Sequence, residues 1–157
     1  MIEDVVDQVK TFLQTNMPGK LDTIDTERND GITLDDIQGY FVEREHQDPS
    51  YPNITVVGLE TSTGNILSSR RELKHRISVE ITDRTVSVDT DILQKKLWRY
   101  VEAVERLVST DPTLSGNVID SAILSHEYPE ESARADAFVK TARVVLTALE
   151  RPSVGAY

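Results

Sequence analysis

The chain has no cysteine among its 157 residues, so neither a disulfide framework nor a thiolate metal site is open to it. Positive charge is scarce. Seventeen Lys and Arg face 27 Asp and Glu, for a formal net charge of −10 and an isoelectric point of about 4.7. Such a molecule repels phosphates on average and is not an ordinary nucleic-acid binder. No apolar run approaches the roughly 18 residues of a membrane span. No basic stretch followed by an apolar run reads as a signal peptide, so a cytoplasmic, soluble chain is expected. Gly-rich phosphate loops, Walker patterns and G-x-S-x-G elbows are also missing. The length nevertheless suffices for one domain, 1–157, with a real core.

The acidity is uneven. Residues 1–60 hold 13 Asp and Glu against 4 Lys and Arg, residues 61–109 hold 7 against 9, and residues 110–157 hold 7 against 4. The middle third is a local basic island centred on Arg70, Arg71, Lys74 and Arg76.

The strongest periodic signal follows Asp89. Leu93, Leu97, Tyr100, Val101, Val104, Leu107 and Val108 recur at steps of three and four, the spacing of one apolar helical stripe. Asp89, Thr90 and Asp91 offer side-chain oxygens for the free N–H groups at its start. Asp111-Pro112-Thr113-Leu114-Ser115-Gly116-Asn117 stops it, and a strand over Val118–Ser125 follows. A first helix is expected over 1–20, with Ile2, Val5, Val6, Val9, Phe12 and Leu13 on one face and Met17-Pro18-Gly19 ending it. Residues 21–53 read as a polar, acidic connecting segment with a short helix around Leu34–Phe41 and a loop from His46 to Asn53.

Residues 54–150 carry the sheet and the central helix. Ile54–Glu60 is β-branched, and Gly58 within it predicts a bulge or a close backbone approach. Leu73, His75, Ile77, Val79 and Ile81 alternate with polar residues, as in a half-buried strand. Ala135–Leu149 fits helix or strand; strand is preferred because Val118–Ser125 needs a partner. Residues 151–157 form a tail. The expected fold is α+β, one antiparallel sheet of about four strands with helices on one face, in helix–hairpin–helix–hairpin order.

Few residues invite a chemical role. Asp25 to Gly31 has some likeness to a calcium loop, but no register places glycine at position 6 with acidic ligands at 1, 3 and 12. His46, His75 and His126 lack metal-ligand spacing, and His75 reads as a hydrogen-bonded core residue. No catalytic residue, metal or cofactor is expected. Trp98 lies beside the helix stripe and reads as core edge or interface anchor. Lys95, Lys96 and Arg99 read as a solvated face. The turn from Thr61 to Arg71 is long for a hairpin. Thr61, Thr63, Gly64, Asn65, Arg70 and Arg71 are candidate interface residues there, since guanidinium groups pair with a partner's carboxylates.

Two runs carry a resemblance: Tyr51-Pro52-Asn53-Ile54-Thr55-Val56-Val57 entering the first strand, and Asp111 to Val118 between helix and strand. With the element order over roughly residues 50–150, they make the chain resemble the tail terminator, or tail completion (neck), proteins of long-tailed bacteriophages. The resemblance implies a virion protein forming a hexameric ring. That ring caps the tail tube protein, meets the head-completion or connector protein and lets genomic DNA pass without specific binding. It implies no enzymatic activity, no cofactor and no membrane. A head-completion or minor tail protein, or a non-viral α+β adaptor, are the alternatives. The acidic segment Leu21–Asp48 departs from the pattern.

Overall fold

The computed structural model describes residues 1–42, 50–63, 72–86, 90–129, 132–134 and 137–151. Its elements are α1 (Ile2–Arg28), β1 (Gly39–Phe41), β2 (Asn53–Thr63), β3 (Leu73–Thr85), α2 (Asp91–Thr110), β4 (Asp120–Glu127), β5 (Ser132–Arg134) and β6 (Ala137–Glu150). The fold is α+β, but the sheet is mixed and larger than expected. Its order is β1-β2-β3-β6-β4, with β5 beside β6 and β1 parallel to β2. The helix–hairpin–helix–hairpin expectation therefore omits β1 and β5.

The sheet is built on a long register. Ile54, Ile81 and Ala142 align across β2, β3 and β6, and Val56, Val79 and Val144 align beside them. A third row joins Ile77, Leu146 and Ile123. These rows belong to one core with Val5, Val9, Leu13, Met17, Leu97, Val101 and Val104 of the helices. Both helices thus cover the same face, α1 over β1, β2 and β3, and α2 over β3, β6 and β4. All seven residues of the α2 stripe are buried.

Helix α1 does not stop at Pro18. It runs to Arg28 because the apolar stripe continues through Met17, Leu21 and Ile24, all buried. Proline inside a helix costs about 3 kcal/mol. Burying three such side chains, at about 1.5–3 kcal/mol each, outweighs that. The helix ends where Asn29 turns left-handed (φ 44°) and its N–H returns to the Asp25 carbonyl at 3.0 Å.

The short helix expected around Leu34–Phe41 is not formed. Residues 34–38 have no regular secondary structure, and the last residues of the stretch make β1, with Gly39, Tyr40 and Phe41 opposite Asn53, Ile54 and Thr55. The loop expected from His46 lies outside the described residues up to position 49, and β2 begins at Asn53.

Gly58 meets both expectations. The β2 register shifts between Gly58 and Glu60, and a Cβ at Gly58 would stand 2.7 Å from Ile2 Cδ1. Ala137–Glu150 is a strand throughout, flanked by β3 on one side and by β4 and β5 on the other. Strand β4 starts at Asp120 rather than Val118. The preceding residues complete the turn instead, with the Val118 N–H donating to the Thr113 carbonyl at 3.1 Å. The N-cap of α2, Thr90, makes no side-chain capping hydrogen bond, and Asp89 lies outside the described residues.

Candidate interface surfaces

The solvent side of α2 begins with its cations. Lys96, Arg99 and Arg106 fall at steps of three and seven, so they share one side of the helix. All three are paired with the acidic segment or the end of α1. Lys96 Nζ lies 3.1 Å from Asp35 Oδ2, and Arg106 Nη1 lies 2.7 Å from Glu27 Oε2. Arg99 grips Asp30 with two prongs, Nη1 to Oδ1 at 3.1 Å and Nη2 to Oδ2. The Arg99 hydrogen bond holds the Asp30 carboxyl down at about 2. Two further bonds fix the same segment. The Tyr100 hydroxyl donates to the Asp35 carbonyl at 3.0 Å, and the Leu34 N–H donates to the Asp25 carboxylate at 3.1 Å.

This corrects the reading of Lys96 and Arg99 as a solvated face. Arg99 is only 7% exposed. It also gives the acidic segment its place, which is a strap tied across α2. The available sequence signal is the three-seven spacing of cations opposite a run rich in Asp.

Trp98 and Lys95 are among the exposed residues of that helix. Trp98 is 51% exposed. Lys95 is exposed and makes no ion pair among the described residues. With Arg28, Arg99 and Glu102 they line a cleft of about 310 Å³. Its walls include the indole and the stems of the charged residues; Arg28 lies 3.3 Å from Glu102, and the Arg99 guanidinium is taken by Asp30. Trp98 is half-exposed and is not part of the core cluster.

The β2–β3 arm divides. Thr61 and Thr63 are not turn residues; both lie in β2, opposite His75 and Leu73. Thr63 is exposed, and every residue of β2 from Gly58 onward is exposed overall. The Thr61 side chain is nonetheless committed inward. Its Oγ1 lies 2.9 Å from His75 Nδ1, while His75 Nε2 lies 2.8 Å from Glu150 Oε2. A carboxylate only accepts, so a neutral ring carries its proton on Nε2 and receives the Thr61 hydroxyl at Nδ1. Burial pushes the Glu150 carboxyl up, but hydrogen bonds from the Met1 α-amino group and His75 outweigh it and leave the group below its usual range. His75 is therefore a satisfied core histidine. Gly64, Asn65, Arg70 and Arg71 lie outside the described residues. The structure thus separates the candidates: Trp98 stands on α2, and Thr61 and Thr63 on the sheet edge.

On the sheet face away from the helices, Glu60, Ser62, Lys74, Arg76, Leu124 and Thr147 line a smaller groove of about 170 Å³. Lys74 makes no ion pair among the described residues, and Arg76 lies 3.3 Å from Glu60. Among the described residues no group of three or more His, Asp or Glu side chains is arranged to hold a metal ion. Among those residues, too, no helix is long and apolar enough to cross a membrane.

No protein-family model matches the chain, and no curated protein matches it. Among solved structures it is similar to a chain of the virion of the native gene transfer agent (GTA) particle. The two are 9% identical with a TM-score of 0.29, over 73% of this chain and 78% of that one.

Proposed function

We propose that this protein is a structural component of a virion, a ring of six copies that caps the tail tube and joins it to the head. It catalyses no reaction and holds no cofactor. The observation that carries the reading is that both runs behind the family resemblance are built connections. Pro52 is buried, and Asn53 Nδ2 donates to the Ser50 carbonyl at 2.8 Å. After α2, the Asp111 carboxylate accepts from the Thr113 hydroxyl at 2.8 Å and from the Ser115 N–H at 3.0 Å. Ser121 Oγ then donates to the Pro112 carbonyl at 2.6 Å, tying the turn to β4.

Two features support assembly as the role. Trp98 is a rigid, half-exposed anchor of the kind concentrated at interfaces. A net charge of −10 suits a channel wall past which DNA slides without sticking. That wall is rich in Asp and Glu and poor in Arg and Lys. Heterologous contacts that close give a ring.

The test is the mass of the purified protein over a concentration series, with negative-stain images. A particle six times the 17.6 kDa chain, with a central hole, is expected. A monomer at every concentration overturns the reading.

A further inference from the structure

A ring needs two different patches on each copy that fit each other. One is already described: the Trp98 cleft, walled by the indole, where Arg28 and Arg99 are paired with Glu102 and Asp30 while Lys95 makes no ion pair among the described residues. Its natural occupant is negatively charged and carries some apolar surface.

The first two turns of α1 have that chemistry. Glu3, Asp4 and Asp7 are all exposed, and residues 1–9 contain no Lys or Arg. Glu3 and Asp7 make no ion pair among the described residues, and Asp4 meets only the α-amino group, at 3.5 Å. The Met1 side chain is 66% exposed beside them. Thioethers and aliphatic stems pack well on aromatic faces.

The cleft lies at the seam of the two helices, where the end of α1 brings Arg28 beside Lys95, Trp98 and Glu102 of α2. We infer that the Trp98 cleft of each copy receives the acidic first two turns of α1, Glu3, Asp4 and Asp7, of its neighbour. This rests on the ring reading above.

The contact is tested by charge exchange in the full-length chain, with association measured by sedimentation velocity and folding by circular dichroism. Lys95→Glu, Trp98→Ala and the pair Glu3→Lys with Asp7→Lys alter exposed side chains, so each variant keeps its fold. Each is expected to weaken association at least tenfold at low salt. Lys95→Glu combined with Glu3→Lys and Asp7→Lys is expected to regain most of it, because the charges are exchanged rather than removed. Rings that persist unchanged in Trp98→Ala and Lys95→Glu overturn this contact and leave the ring standing. So does failure of the combined variant to recover although it is folded. A wild-type chain that never assembles removes the ring and the contact together.

Discussion

Arg99 and Asp30 hold each other in a two-pronged ion pair that ties the strap to α2, with Arg99 almost wholly covered. The pair has a direct consequence for acid stability. Asp30 is held at about 2 when folded, against 3.8 otherwise. A carboxyl with a lowered folded value stabilises the fold above its unfolded value and loses that effect as the pH falls towards the folded one. Thermal melts should therefore show the wild type losing stability between about pH 4 and pH 2. Arg99→Met should melt lower at pH 7 and show a smaller loss across that window.

Asp83 runs the other way. It is buried on the helix-facing side near the end of β3, and burial pushes its carboxyl up to about 6. The folded state holds this proton more tightly than the unfolded chain, so stability falls as the pH rises from about 4 to about 6. A tenfold difference in proton affinity between the two states is worth about 1.4 kcal/mol, so Asp83→Asn should gain about 2–3 kcal/mol at pH 8 and little at pH 4. Denaturant melts at both pH values measure it. Equal effects at both would show that this group does not titrate as described.

Gly58 lies under Ile2, where a Cβ would come within 2.7 Å of Cδ1 and 3.0 Å of Cγ1. Overpacking of this kind costs about 1–3 kcal/mol. Gly58→Ala should fall at the low end, since the end of the Ile2 side chain has some room to move, and Gly58→Val at the high end. Ile2→Ala in the Gly58→Ala background should cost less than Ile2→Ala alone, a coupling that a double-mutant cycle of melting free energies reads directly.

Leu97 is 1% exposed and faces the sheet from the middle of α2. Leu97→Ala should cost about 2–5 kcal/mol, the usual range for a buried large-to-small change. A neutral melting temperature would mean that the stripe does not face the sheet.

The parts that are legible in the sequence share a cause. The α2 stripe, the alternation of β3 and the Gly58 irregularity are local patterns whose period or missing side chain dictates the outcome. The acidic segment is opaque because its order comes from elsewhere. Asp30 and Asp35 mean little until α2 places Arg99 and Lys96 opposite them. A local rule ends helix α1 at Pro18, where burial of Leu21 and Ile24 in fact decides. Strand β1 is hidden because its three residues gain their strand character only by pairing with β2. Of the candidate interface residues, Trp98 is visible as a lone large aromatic, whereas the cleft around it depends on Arg28 arriving from the far end of α1.

A place in a virion is tested by locating the chain in assembled particles. Gold-labelled antibody against it, applied to purified particles from the genome that encodes it, should mark the junction of head and tail. Quantitative mass spectrometry of the same particles should count six copies in each. Label along the tail shaft, or particles free of the chain, would contradict the account.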